Sequence, residues 1–321
     1  MLLHNDTELF LRAINLAAQR SGYSGAIVEK DYYVTLLLRN ISEKYGNVEF
    51  KGGTSLSKCH KLINRFSEDI DIAVDKQLTQ SARRKYKDTI LERFETLGLQ
   101  PVNNGEIRSR RDFNRYTATY QSVAGLTLSP LKSALYLETY FAIIAYPAQL
   151  MPVTSLIGEM LREEAPELLD KYNLHPFEMK VQSLERTFID KLFAICDYYL
   201  DGNCTGHSRH IYDLCKLLTR VNPNTLQPLL SEVREIRKNN AKALSAQDNI
   251  NLYALLRKLV GILRRARHHG LRDLAVHILR IESELTLALC ENKLALGITS
   301  PAPGDFVGRE PLCAPEARAM S

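Results

Sequence analysis

Two aspartates, Asp69 and Asp71, stand two positions apart in the alternating segment Asp69 to Val74. In an extended strand, residues two apart project to the same face. Both carboxylates therefore aim at one point, and Ile70 and Ile72 turn to the opposite layer. Carboxylates so close repel unless a cation lies between them. Mg²⁺ takes hard oxygen ligands and completes its shell with water and phosphate oxygens, which makes Asp-x-Asp on a strand a platform for a metal-bound triphosphate. Mn²⁺ is the alternative ion. A third carboxylate is needed to reach a second metal. In the strand expected over 131–144, Ala134, Tyr136, Glu138 and Tyr140 share a face, and Glu138 is the acid among them. An acid set among Leu, Tyr, Phe and Ile is costly to bury without a partner, so Glu138 is assigned as the third metal ligand.

Just upstream runs Lys51-Gly-Gly-Thr-Ser-Leu-Ser-Lys58. Gly52 and Gly53 let the backbone turn tightly and approach a ligand. Thr54, Ser55 and the start of the following helix offer hydroxyls and N–H groups to phosphate oxygens. Lys58 lies about one turn inside that helix and adds charge. Taken singly, a Gly-Gly is an ordinary turn and an Asp-x-Asp an ordinary strand end. Their order and spacing, with Glu138 downstream, favour one nucleotide site.

The elements that position these residues follow from periodicity. Leu9, Phe10, Ala13, Ile14 and Ala17 form an apolar stripe at helical spacing, and a second helix covers 27–38, entered through Glu29-Lys30-Asp31. Residues 47–51 alternate as a short strand, Gly52-Gly53 breaks it, 55–63 reads as a helix, and 69–74 as a strand. A charged amphipathic helix follows over 78–97, then strands over 116–122 and 131–144. Beyond residue 180 the period is helical: 184–200, 210–218, 226–239, 252–268 and 271–296. The division is residues 1–45 as N-terminal helices, 46–180 as a mixed α/β core, 181–299 as a helical domain and 300–321 as a mobile, proline-bearing tail.

The 321-residue chain has ordinary globular composition, with 45% hydrophobic and 25% charged residues. A net charge of +5 permits a polyanionic partner without demanding one. His4, Asn5, Asp6 and Glu8 sit where the apolar core of a signal peptide belongs. The best apolar run, 140–153, is short and broken by Pro147 and Pro152. A cytoplasmic protein with no membrane association is expected. The six cysteines form no Cys-x-x-Cys pair and read as free thiols. Cys204, His207, His210 and Cys215 raise the question of zinc, but their spacing fits a histidine-rich helix start better. The basic stretches 83–85, 108–115 and 264–269 are candidate RNA contacts or plain solvated faces.

The sequence resembles the AbiEii/AbiGii-type toxin nucleotidyltransferases, within the DNA polymerase β-like nucleotidyltransferase superfamily, over residues of about 25 to 220. Val28-Glu-Lys-Asp-Tyr-Tyr-Val34 is similar to the family's Glu-Lys-Asp-aromatic-aromatic helix. Phe50-Lys-Gly-Gly-Thr-Ser-Leu56 and Ser67-Glu-Asp-Ile-Asp71 match its first two motifs. Glu185-Arg-Thr-Phe-Ile-Asp-Lys191 resembles the third, with Asp190 in the place of a Glu. Arg209-His-Ile-Tyr-Asp-Leu214 resembles the fourth, with His210 in the place of an Asp.

The resemblance implies an α/β polymerase β-type core and a toxin with a separately encoded antitoxin, in a toxin–antitoxin or phage-defence system. It implies transfer of nucleotides from an NTP to an RNA 3′ end, tRNA foremost, which blocks translation. Lys191 would contact the triphosphate or the leaving pyrophosphate, and Asp213 would orient Lys191 or Arg209. The bland readings are a surface lysine and a surface ion pair. Two other functions compete: nucleotidylation of a protein or small molecule, and a nucleotide-binding module that acts without turnover.

Overall fold

The computed structural model describes residues 1–74, 78–125, 133–141, 147–202, 207–240, 242–252 and 254–258. The expected helix over 271–296, the tail 300–321 and most of the expected helix over 252–268 lie outside the described residues.

The chain opens with two helices, α1 (Thr7–Ser21) and α2 (Gly25–Lys44). Asp6 caps α1 by accepting from the Leu9 N–H at 3.0 Å, and Gly22 ends it in the left-handed region at φ 73°. Ser24 caps α2. β1 (Val48–Lys51), the short α3 (Gly52–Lys58) and β2 (Asp69–Val74) follow, then α4 (Gln80–Thr96), β3 (Gln100–Pro101), β4 (Phe113–Thr119) and β5 (Ala134–Tyr140). β6 (Ala148–Val153), α5 (Leu156–Glu164), α6 (Glu167–Tyr172) and β7 (Phe177–Gln182) complete the α/β part. The helices α7 (Leu184–Leu200), α8 (Ser208–Leu217) and α9 (Pro223–Lys238) come after it.

Among the described residues the strands form one seven-stranded mixed sheet in the order β3-β4-β5-β2-β1-β7-β6. β2 lies at its centre, antiparallel to β1 and parallel to β5. One face carries Ile70, Ile72, Leu135 and Leu137, all fully buried, and the core continues into α1, α2, α4 and α5. The fold is mixed α/β, as the sequence predicts.

Helix α2 carries an unusual load. Glu29 and Lys30 are fully buried inside it, where ionised groups survive only with partners. The Glu29 carboxylate accepts from the Ser122 hydroxyl at 2.5 Å and the Val123 N–H at 2.8 Å. Lys30 pairs with Glu68 at 2.8 Å, one residue before Asp69. Asp31 pairs with Lys58 at 2.5 Å and accepts from the Leu156 N–H at 2.8 Å. This Glu-Lys-Asp run is not the helix entrance the sequence suggests. It lies within α2 and fastens the helix to the segments beside the site.

Candidate active site

The central strand presents Asp69 and Asp71 on the polar face, and β5 runs parallel in a register that sets Glu138 beside Asp71 and Tyr136 beside Asp69. The three carboxylates are gathered by strand alternation and pairing alone. The Tyr140 hydroxyl donates to Glu138 Oε2 at 2.8 Å. Burial, then Glu138, pushes the Asp71 carboxyl up to about 7 against the pull of Lys51, with Asp69 adding to the rise.

Gly52 follows Lys51, the residue paired with Asp71 across β1 and β2. Its φ is 77°, and a Cβ there would fall inside the Asp71 carboxylate. A Cβ on Gly53 would come within 2.7 Å of the Ser67 hydroxyl and 2.9 Å of an Arg65 nitrogen. Glycine is needed at Gly52 so that the turn can lie against Asp71, and at Gly53 a side chain would press on Ser67 and Arg65.

Opposite the sheet, α7 and α8 close a cavity of about 400 Å³. Its walls include Lys51, Gly52, Gly53, Asp69, Asp71 and Glu138 on the sheet side, and Asp190, Lys191, Arg209 and His210 on the helical side. Lys191 Nζ binds Asp213 Oδ2 at 2.7 Å. Arg65 reaches the same carboxylate twice, at 2.8 Å through Nε and 2.6 Å through Nη2. Burial raises the Asp213 carboxyl, but the hydrogen bonds and charges of Arg65 and Lys191 outweigh it and hold it below the usual range. Asp190 is likewise low: burial raises it, and Arg186, Lys51 and Arg237 more than reverse that. Burial first and Lys191 next push His210 down to about 4, which leaves its ring neutral at pH 7.

The expected residues separate into two groups. Gly52, Gly53, Asp69, Asp71, Glu138 and Lys191 line one cavity, and Asp213 stands directly behind Lys191. The side chains of Thr54, Ser55 and Lys58 do not join them. The Thr54 hydroxyl turns inward and donates to the Asp69 backbone carbonyl. The Ser55 hydroxyl donates to the Gly52 carbonyl at 2.9 Å. Lys58 is held by Asp31 and, at 2.9 Å, by the Thr154 carbonyl, in a second cavity behind α3. The cause is the helix phase: α3 starts at Gly52, so its hydroxyls and its last lysine fall on the sides packed against the body. Lys51 faces the carboxylates instead, with Nζ 4.1 Å above the Tyr140 ring.

Arg65 and Arg115 are functional candidates that the motif reading passes over. The Arg115 guanidinium lies on the carboxylates, 2.9 Å from Asp69 Oδ1 and 3.7 Å from Glu138 Oε1. It belongs to the basic stretch 108–115, whose signal in sequence is charge alone. Of the other basic stretches, Arg83 on α4 pairs with Asp112 at 2.7 Å, and 264–269 lies outside the described residues. His207 stacks on Tyr198 at 3.5 Å, as a packed helix start does. Cys204 lies outside the described residues.

A divalent cation suits the donor chemistry here. Three carboxylates face one space, one of them is driven toward protonation, and a guanidinium occupies the place of positive charge. Among the described residues no three acid, His or Cys side chains converge as a ready-made shell, and Asp69 is engaged by Arg115. A cation bound there would require Arg115 to yield.

A family model described as nucleotidyl transferase AbiEii toxin, type IV toxin–antitoxin system, matches residues 36–277. The chain belongs to the AbiEii nucleotidyl transferase toxin family. The matched stretch holds every residue of the cavity wall, from Lys51 to Arg237. No individually curated protein matches the chain. As an AbiEii-family chain it is a toxin of type IV toxin–antitoxin kind, with nucleotidyl transfer as its activity and an antitoxin as its partner. No helix of the described residues is long and apolar enough to cross a membrane.

Proposed function

We propose that this AbiEii-family chain transfers a nucleotide from an NTP to the 3′-hydroxyl of an RNA, with tRNA as the acceptor class, and that the reaction depends on Mg²⁺ or Mn²⁺. The observation that carries the reading is one cavity in which the acids of β2 and β5 face Lys191 of α7 and Arg209 of α8. Nucleotidyl transfer needs both, because the attacked α-phosphate and the leaving pyrophosphate carry negative charge that cations must balance.

Asp69, Asp71 and Glu138 would hold the metal ions, which when bound neutralise phosphate charge and favour the ionised hydroxyl. The bond from the RNA 3′-oxygen to the α-phosphorus forms as the bond from that phosphorus to the β-phosphate oxygen breaks. Pyrophosphate leaves, and the hydroxyl proton passes to the Asp71–Glu138 carboxylate pair. Lys191 meets the charge on the triphosphate, aimed by Asp213. Lys51 balances the acids from the β1 side. Gly52 and Gly53 let the turn approach the phosphates without a side chain between. A neutral His210 offers a hydrogen bond rather than a charge. Blocked translation, and from it phage defence, would follow if the extended RNA is tRNA.

The test is incubation of purified protein with total RNA and each labelled nucleoside triphosphate in turn, with protein and small-molecule acceptors in parallel. Label in RNA supports the reading. Label confined to protein or a small molecule, or none in any arm, overturns it.

A further inference from the structure

On the far side of Arg115 from the carboxylates lies another opening, of about 420 Å³. Its floor is the same polar face of the sheet, continued onto β4. There Phe113, Arg115 and Thr117 alternate outward, in register with Tyr140, Glu138 and Tyr136 of β5. Phe113 is 43% exposed, a large apolar ring left in water next to a charged site. It leans on Tyr140 at 5.0 Å between ring centroids. Arg115 spreads over the Tyr136 ring at 4.5 Å and stands in both openings, so it is the partition between them. Arg111 lines the outer opening with Arg115, and Glu106 is the one acid among its lining residues. Asn103 brackets β4 there by accepting from the Thr117 N–H at 2.9 Å and donating to the Arg115 carbonyl at 2.8 Å, which holds this stretch extended.

We infer that this outer opening is an acceptor-strand subsite, which takes the unpaired nucleotide next to the reacting 3′ terminus of an RNA. The inference rests on the nucleotidyl-transfer reading of the adjoining cavity. A base stacks on aromatic rings and on the plane of an arginine, whatever its sequence, and Phe113 with the Arg115–Tyr136 layer offers such a surface. The phosphate that follows the base meets Arg111. Continuity is the second support. A nucleotide on the outer side of Arg115 puts the next 3′-hydroxyl over the partition, beside Asp69 and Glu138. Its phosphate also gives the Arg115 guanidinium a second anion, so strand binding draws that cation off the acids. A peptide acceptor would make no use of an aromatic and guanidinium plane ringed by positive charge.

The experiment uses the full chain and two surface variants, Phe113→Ala and Arg111→Ala, each checked for an unchanged melting temperature. A 5′-labelled, unstructured RNA hexamer with a free 3′-hydroxyl is titrated by fluorescence anisotropy. In parallel, a non-hydrolysable NTP analogue with Mg²⁺ is titrated by calorimetry. A second hexamer carries 4-thiouridine next to its 3′ end for crosslinking. Each variant is expected to bind RNA about tenfold more weakly while the analogue binds as in wild type, and the crosslink should map to the peptide that holds Phe113. RNA affinity unchanged in both variants, a crosslink elsewhere, or no RNA binding by wild type beside labelling of a protein acceptor overturns the subsite. The two arms are read separately. A wild type that fails to bind the analogue removes the transfer reading, while the RNA arm still decides the subsite.

Discussion

Asp213, fully buried on α8, receives a two-point hydrogen bond from Arg65, which lies 148 residues earlier in the loop between α3 and β2. The same carboxylate holds Lys191. One anion therefore ties the loop that leads into β2 to the helix that carries Lys191.

Asp213→Asn should leave two neighbouring cations without their anion and cost about 3 kcal/mol in stability, measured by denaturant titration. Because the folded carboxyl lies below its unfolded value, its contribution is present above the unfolded carboxylate range and is lost as pH falls through the folded value. The wild-type chain should lose this part of its stability in acid, and the variant should show a flatter acid limb. Equal acid limbs in the two proteins would contradict the assignment.

Gly52→Ala should be far worse than an ordinary surface change. It combines a positive φ with a methyl group placed on the Asp71 carboxylate. Strain of about 1–3 kcal/mol is expected, and transfer activity should fall at least about a hundredfold because the acid is displaced. Ser55→Ala, whose hydroxyl bonds only the Gly52 carbonyl in the same helix turn, should keep nucleotide affinity within about twofold and cost about 1 kcal/mol. A calorimetric titration of nucleotide into both variants separates turn geometry from hydroxyl chemistry.

The Asp71 carboxyl, raised to about 7, makes metal response depend on pH. In the metal-free chain a raised folded value means that protonation favours the fold. That stability is full below the unfolded carboxylate range and is lost as pH rises through about 7. Mg²⁺ must displace the proton on the acid side of that range but not on the alkaline side. The rise in melting temperature with Mg²⁺ should therefore be larger at about pH 8 than at about pH 6, and Asp71→Asn should abolish the difference. An identical Mg²⁺ response at both pH values would count against the carboxylate cluster as the metal site.

Lys191→Ala should lower kcat/KM for the nucleotide by about a hundredfold, and Lys191→Arg should rescue poorly, because a planar fork does not replace a compact ammonium already seated on Asp213. Unchanged steady-state kinetics in both variants would leave Lys191 only a structural part as the partner of Asp213.

The strand that bears Asp69 and Asp71 is legible from local pattern. Asp69–Val74 is a strand with the expected bounds, and Leu184–Leu200 is a helix with the expected bounds, because alternation and helical period are strong in both. β6 and β7 escaped the reading. Pro152 argues against a strand, but β6 is an edge strand, where a missing N–H is tolerated. The glycine pair was read as a break, yet only Gly52 takes a positive φ, and the helix starts there rather than at Ser55. With that shift of three residues Lys58 falls beside Asp31 in the second cavity, and Lys51 lines the cavity with the carboxylates. Arg65 and Arg115 were beyond a local reading, since each earns its place through partners distant in sequence.

The claim that β2 carries the catalytic acids is tested most directly by Asp69→Asn and Asp71→Asn, variants that keep side-chain shape and remove charge. Purified wild type and variants are given labelled nucleoside triphosphate, Mg²⁺ and an RNA acceptor, and label entering RNA is counted, with circular dichroism to confirm the fold. Transfer should fall by about a thousandfold or more in either variant with the fold intact. Transfer above about a tenth of wild type, in well-folded variant protein free of wild type, would contradict it.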